Sequence, residues 1–139
     1  RVVFAGELPH RELIDYYFAA DLFVYASVTE TQGLVLTEAK ACGLPVVAVF
    51  GGGISDVVES GVDGYLVPQK QELFIEHVLR LIKDDRLRKT MSVKAEEDSR
   101  SRYSSVVVAK KIESVYNSLI QKKPLDSLHS PGAKGGSEC

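Results

Sequence analysis

Short apolar runs alternate with helical stretches over the first half of this chain, and that alternation is what most restricts its fold. Val2-Val3-Phe4-Ala5, Leu22-Phe23-Val24-Tyr25, Val46-Val47-Ala48-Val49 and Tyr65-Leu66-Val67 are each a few residues long and uncharged. Runs of that kind read as buried strands. Between the first two, Leu13, Tyr16, Tyr17 and Ala20 recur at helical offsets, which predicts a helix from about Arg11 to Ala20. A second helix, opened by Gly33 and carrying Glu38, Ala39 and Ala41, should stop at Gly43-Leu44-Pro45. Gly51-Gly52-Gly53 then leads into a short helix through Ile54, Val57 and Val58, and Asp63-Gly64 turns the chain into its fourth run, closed by Pro68. Strand–helix alternation of this sort gives the α/β class: a parallel sheet of about four strands with helices on both faces.

The second half is helical. Leu73, Phe74, His77, Val78, Leu81 and Ile82 mark a helix from about Gln71 to Lys83; Leu87, Met91 and Ala95 mark a second, and Val108, Ile112, Val115, Tyr116 and Leu119 a last one. After Gln121 the character changes to two prolines, three glycines and three serines. Residues 1–121 are therefore expected to be the folded domain and 122–139 a disordered tail.

At 139 residues the chain is long enough to bury a core, and its net charge of −2 argues against a nucleic-acid partner, which would need a basic surface. No run approaches the ~20 apolar residues of a membrane span. Cys42 and Cys139 make no metal or redox spacing. With Cys42 expected to be a buried inert thiol and no signal peptide at the start, a cytoplasmic setting is expected. The chain opens on Arg1-Val2-Val3-Phe4 with no methionine, as a piece of a longer polypeptide would.

The chemistry-bearing segment is Glu30-Thr31-Gln32-Gly33-Leu34-Val35-Leu36-Thr37-Glu38, which follows the second apolar run. In an open α/β sheet ligands bind at the carboxyl ends of strands. A glycine at a helix start lets a phosphate approach the free N–H groups there, and the flanking carboxylates are strong acceptors for sugar hydroxyls. Two readings stand. Glu30 and Glu38 hold a nucleotide sugar, or Glu30 caps the helix start and Glu38 lies on a solvated face.

Other motifs fall short. Gly51-Gly52-Gly53 has Asp56 where a dinucleotide fingerprint needs its third glycine, leaving either a turn or an anion nest. A phosphoacceptor site would need an acidic pair where Ala5-Gly6 stands. Asp84-Asp85 sits between helices, where a solvated helix-start pair is the ordinary reading. No D-x-D occurs, and His77 falls on an apolar helical face, as a core histidine does.

Several linked segments, in order, carry a resemblance: V-x-F-x-G at Val2–Gly6, Ala20-Asp21-Leu22-Phe23-Val24, and the Glu30–Glu38 segment. Ala41-Cys42-Gly43-Leu44-Pro45-Val46-Val47-Ala48, Gly52-Gly53 and Gly61-Val62-Asp63-Gly64-Tyr65-Leu66-Val67 complete the set. The stretch from Val2 to about Leu119 resembles the Rossmann-like C-terminal half of the retaining GT-B glycosyltransferases of family 4, with their E-x7-E element. The resemblance implies a nucleotide-sugar donor site, with a UDP-hexose as substrate and no cofactor or metal. Glu30 would hold sugar hydroxyls as the catalytic carboxylate, and Glu38 the ribose. The backbone from Thr31 through Gln32, Gly33, Leu34 and Val35 would face the sugar and diphosphate, and Gly6 to Leu8 the base. Gln32 before the glycine is similar to enzymes that glycosylate diacylglycerol lipids, which would put a lipid acceptor, and the full-length protein, at the inner membrane face. The family's diphosphate-binding arginine and lysine lie upstream of Val2, as does the N-terminal domain expected as partner. The isolated chain is thus expected to be nearly inactive. A non-catalytic sugar-nucleotide-binding module, and an isomerase of the same architecture, are the rival readings.

Overall fold

A computed structural model of the chain describes residues 1–122. The tail expected over 122–139 lies outside the described residues except for Lys122, the last residue of a helix. The chain divides into two units, one covering Arg1–Ser104 and the other beginning at Ser105. The first contains α1 (His10–Ala19), β1 (Phe23–Tyr25), α2 (Leu34–Ala41), β2 (Val46–Val49), a 3-10 turn (Gly52–Asp56), β3 (Gly64–Val67), α3 (Gln71–Lys83) and α4 (Asp85–Tyr103). The second opens with α5 (Ser105–Lys122), whose Ile112, Val115, Tyr116 and Leu119 are exposed.

The sheet is parallel, in the order β1-β2-β3, with Phe23 opposite Val46 and Val46 opposite Gly64. β2 is central and all four of its residues are buried, because helices cover both faces. On one face Val46 and Ala48 pack with Leu36 of α2 and with Ile54, Val57 and Val58. On the other, Val47 packs with Tyr65, Val67, Leu81 of α3 and Met91 of α4. Tyr17 seats α1 against Ala39 and Leu44 at the far end of α2.

The expected strand at Val2–Ala5 does not form. Val2, Val3 and Phe4 are 79%, 72% and 94% exposed. Their composition suits a strand, but a strand exists through its ladder, and among the described residues none lies beside them to pair with. The described sheet therefore has three strands rather than about four.

The helical half follows its pattern closely. His77 packs edge-on against Tyr65 at 4.6 Å, with Nδ1 2.8 Å from the Leu73 carbonyl, and is half-buried rather than in the core. Asp84 caps α4, accepting the Leu87 N–H at 2.9 Å. No described helix is long and apolar enough to cross a membrane.

Candidate functional site

The loops leaving β1 and β2 meet at the carboxyl edge of the sheet, and glycines are what allow them to touch. A Cβ on Gly52 would stand 2.0 Å from the Glu30 carbonyl oxygen, and one on Gly53 2.2 Å from that of Thr31. The Gly53 N–H donates to the Glu30 carbonyl at 3.2 Å. The glycine run is thus a close backbone contact made at the start of a 3-10 turn, which is the physical reason glycines stand together here without a dinucleotide fingerprint. Gly33 has φ +67 and would bring a Cβ to 2.9 Å from Val57 Cγ2, so the loop closes against the same segment.

Inside this loop Glu30 folds back on its own backbone. Its Oε1 accepts the N–H groups of Thr31, Gln32 and Gly33 at 3.0, 3.1 and 3.1 Å, and its Oε2 accepts the Tyr25 hydroxyl at 2.9 Å. Bonds to the charged form favour it. The Gln32 and Gly33 N–H groups, then the Tyr25 hydroxyl, hold the carboxyl below the ordinary glutamate value. The same bond pushes the Tyr25 hydroxyl up. An ionised carboxylate has about four acceptor positions. Three donors fill Oε1 and one occupies Oε2, so Oε2 keeps a position for an incoming hydroxyl. The helix-start role of Glu30 is realised without using up the side chain.

The Gln32 and Gly33 N–H groups are engaged by Glu30. Leu34 and Val35, the first two residues of α2, have N–H groups with no intrahelical acceptor. Leu34 is exposed, as are Thr31 and Gln32, while Val35 is half-buried against the core.

Glu38 lies about 7.5 Å further up the helix axis from Gly33, at 1.5 Å per residue. It is half-buried and lines a cleft of about 290 Å³ together with Thr37, Ala41, Arg100 and Tyr103. Burial, and then the Glu38 charge, push up both the Tyr17 hydroxyl and the Cys42 thiol. Cys42 is half-buried rather than buried. Gly6 and Leu8 lie in the stretch before α1, and among the described residues no hydrogen bond joins them to the Glu30 loop. Nor do the described residues contain a cluster of three or more His, Cys, Asp or Glu able to hold a metal ion.

One buried charged group belongs to none of the sequence motifs. Lys40 is fully buried, with Nζ at 2.5 Å from the Val57 carbonyl, 2.6 Å from Asp98 Oδ2 and 2.7 Å from Asp63 Oδ2. The Asp63 contact is an ion pair set off the hydrogen-bond direction. Burial raises the Asp98 carboxyl, but Lys40 and Arg102 outweigh it and the group titrates below its ordinary value. A signal existed in the sequence: Lys40 stands four residues from Leu36, on the buried side of α2.

Comparison with known proteins places this geometry in a family. Residues 1–98 match the family described as Glycosyl transferases group 1. D-inositol 3-phosphate glycosyltransferase 1 of Catenulispora acidiphila is 48% identical over 82 residues, which is 59% of this chain and 20% of that protein. Alpha-monoglucosyldiacylglycerol synthase of Acholeplasma laidlawii is 34% identical over 117 residues, 84% of this chain and 29% of that protein. The crystal structure of Anabaena HepE in complex with UDP-glucose superposes with a TM-score of 0.67 at 30% identity, over 74% of this chain and 29% of that one. The chain thus spans less than a third of the length of each.

Proposed function

The chain belongs to the glycosyl transferases group 1 family, and from that premise we propose that it is the donor-binding half of a retaining GT-B glycosyltransferase. The donor is a nucleotide diphosphate hexose, with UDP as the nucleotide; the UDP-glucose held by the similar HepE structure supports that choice. Glu38 accepts the ribose hydroxyls from its cleft. The Leu34 and Val35 N–H groups meet the diphosphate, whose charge the start of α2 favours. The turn Thr31-Gln32-Gly33 forms the wall beside the sugar, and Gly6 to Leu8 lie against the base. Glu30 takes a sugar hydroxyl on the open position of Oε2. The leaving diphosphate is stabilised by these fixed dipoles without a bound metal. An N-terminal domain supplies the acceptor side of the cleft. A lipid acceptor, with the whole protein at the inner face of a membrane, is favoured by Gln32 and by the diacylglycerol product in the name of the Acholeplasma relative.

The observation that carries this reading is the Glu30 turn. One carboxylate is held by three backbone N–H groups at the carboxyl end of a parallel strand, charged and with an acceptor position to spare. The test is an amide NMR titration of the 139-residue chain with UDP and then UDP-glucose. Shifts are expected at Gly6–Leu8 and Glu30–Glu38. Glu38→Ala should weaken UDP binding by about 1–3 kcal/mol, the worth of a hydrogen bond to a charged group. Shifts mapping to other surfaces, or an unchanged affinity in that variant, would remove Glu38 from the site.

A further inference from the structure

We propose that Lys40 is a positioning residue for the donor site, fixing both glutamates through one buried ammonium group. Its three oxygen partners come from three separate places in the chain. Val57 follows the 3-10 turn, Asp63 precedes β3, and Asp98 lies in the last third of α4. The lysine itself belongs to α2, two residues after Glu38. The turn it grips at Val57 is the one whose Gly52 and Gly53 abut the Glu30 and Thr31 carbonyls. The Gly53 N–H bonds the first of those carbonyls, and Val57 Cγ2 is the atom nearest a Cβ on Gly33. A displacement of Val57 therefore reaches the Glu30 turn directly, and a rotation of α2 moves Glu38.

The choice of residue supports this role over a merely stabilising one. Lys40 is 0% exposed and Asp63 1%, and an ammonium taken out of water forfeits its hydration. A methionine in that place would fill similar volume with no such penalty. Buried ion clusters of this kind are often replaceable by uncharged groups at no loss of stability, whereas their directed bonds admit one arrangement. The Ser99 hydroxyl, which donates to the Thr37 carbonyl at 3.3 Å, holds the same pair of helices but does not touch the turn at Val57. Arg102 and Tyr103 also tie α4 to that turn, at the Asp56 carbonyl, and Lys40 joins both to α2.

The experiment uses the full chain with Lys40→Met, Asp63→Asn and Asp98→Asn together, so that no buried charge is left unpaired. Asp63 Oδ1 accepts the Glu59 N–H at 2.9 Å, and the side-chain carbonyl of an asparagine in its place keeps that bond. Two readouts are taken. The first needs no ligand: amide exchange of Gly33 and Gly53 should quicken while the β2 amides Val46–Val49 keep their protection. Unchanged exchange at Gly33 and Gly53 overturns the proposal. So does loss of protection throughout the sheet, which would make the cluster a stability element only. The second readout rests on the nucleotide reading: UDP affinity should fall about tenfold, in the range by which residues touching no ligand modulate a site. A parent chain that shows no UDP response, together with the expected exchange pattern, would count against the nucleotide reading and leave the positioning role supported. A folded variant that binds UDP as the parent does would overturn it.

Discussion

With Oε1 of Glu30 accepting three backbone N–H groups, the charge on that carboxylate keeps residues 31–33 in their turn. A protonated carboxyl is a poorer acceptor, so the turn is linked to pH. The folded-state pKa is depressed by those N–H groups and by Tyr25. The stabilisation is therefore complete above the ordinary glutamate value of about 4.3 and is lost as pH falls through the lower folded value. Amide shifts of Thr31, Gln32 and Gly33 should titrate together with a midpoint below that ordinary value, and Glu30→Gln should abolish the step. A midpoint at or above it would mean the three bonds are not made in solution. The helix-start turn at Glu30 was legible in the sequence because its logic is local: a carboxylate and a glycine stand within four residues of each other at the start of a helix. Lys40 was not legible in that way. Its partner Asp98 lies 58 residues further along the chain, and the bonds to it exist only once α4 has packed on α2.

At the level of elements, two glycines in left-handed conformations separate conformational strain from crowding. Gly52 has φ +48 and meets the Glu30 carbonyl oxygen at 2.0 Å from an added Cβ, whereas Gly61 has φ +87 with nothing within 4 Å. Gly61→Ala should cost about 1–2 kcal/mol, the strain of one L-residue in that conformation. Gly52→Ala must add to this the separation of two backbone loops, and should exceed it by at least about 1 kcal/mol in urea unfolding. Equal losses would show that the two loops part freely. The same contrast explains what pattern reading could find. The bounds of α3, Gln71–Lys83, follow from an apolar stripe that the sequence displays in full. Val2–Ala5 has the composition of a strand, yet pairing is a property of neighbours, and the described residues offer it none. The glycine triplet was open between turn and anion nest for a related reason: the carbonyls it abuts are some twenty residues upstream, at Glu30 and Thr31.

Over the whole of residues 1–104, β2 is the only described strand paired on both sides, and its alternating residues feed two cores. Val46 and Ala48 face Leu36 and the turn that backs the Glu30 loop; Val47 faces Leu81 and Met91. If the strand transmits order between its faces, a cavity on either side must weaken both. Leu36 and Leu81 are each fully buried, and either Leu→Ala change should cost about 2–5 kcal/mol. In a urea titration followed at the amides of Ile54 and Val67, one on each face, both variants should lower a single midpoint shared by the two probes. Separate midpoints in either variant would divide the sheet into independently opening halves. The outcome bears on the site, because a shared transition ties the Glu30 turn to α3 and α4 as firmly as to α2. The long-range contacts at Lys40 could then hold the Glu30 turn only as long as the far face of the sheet stays closed.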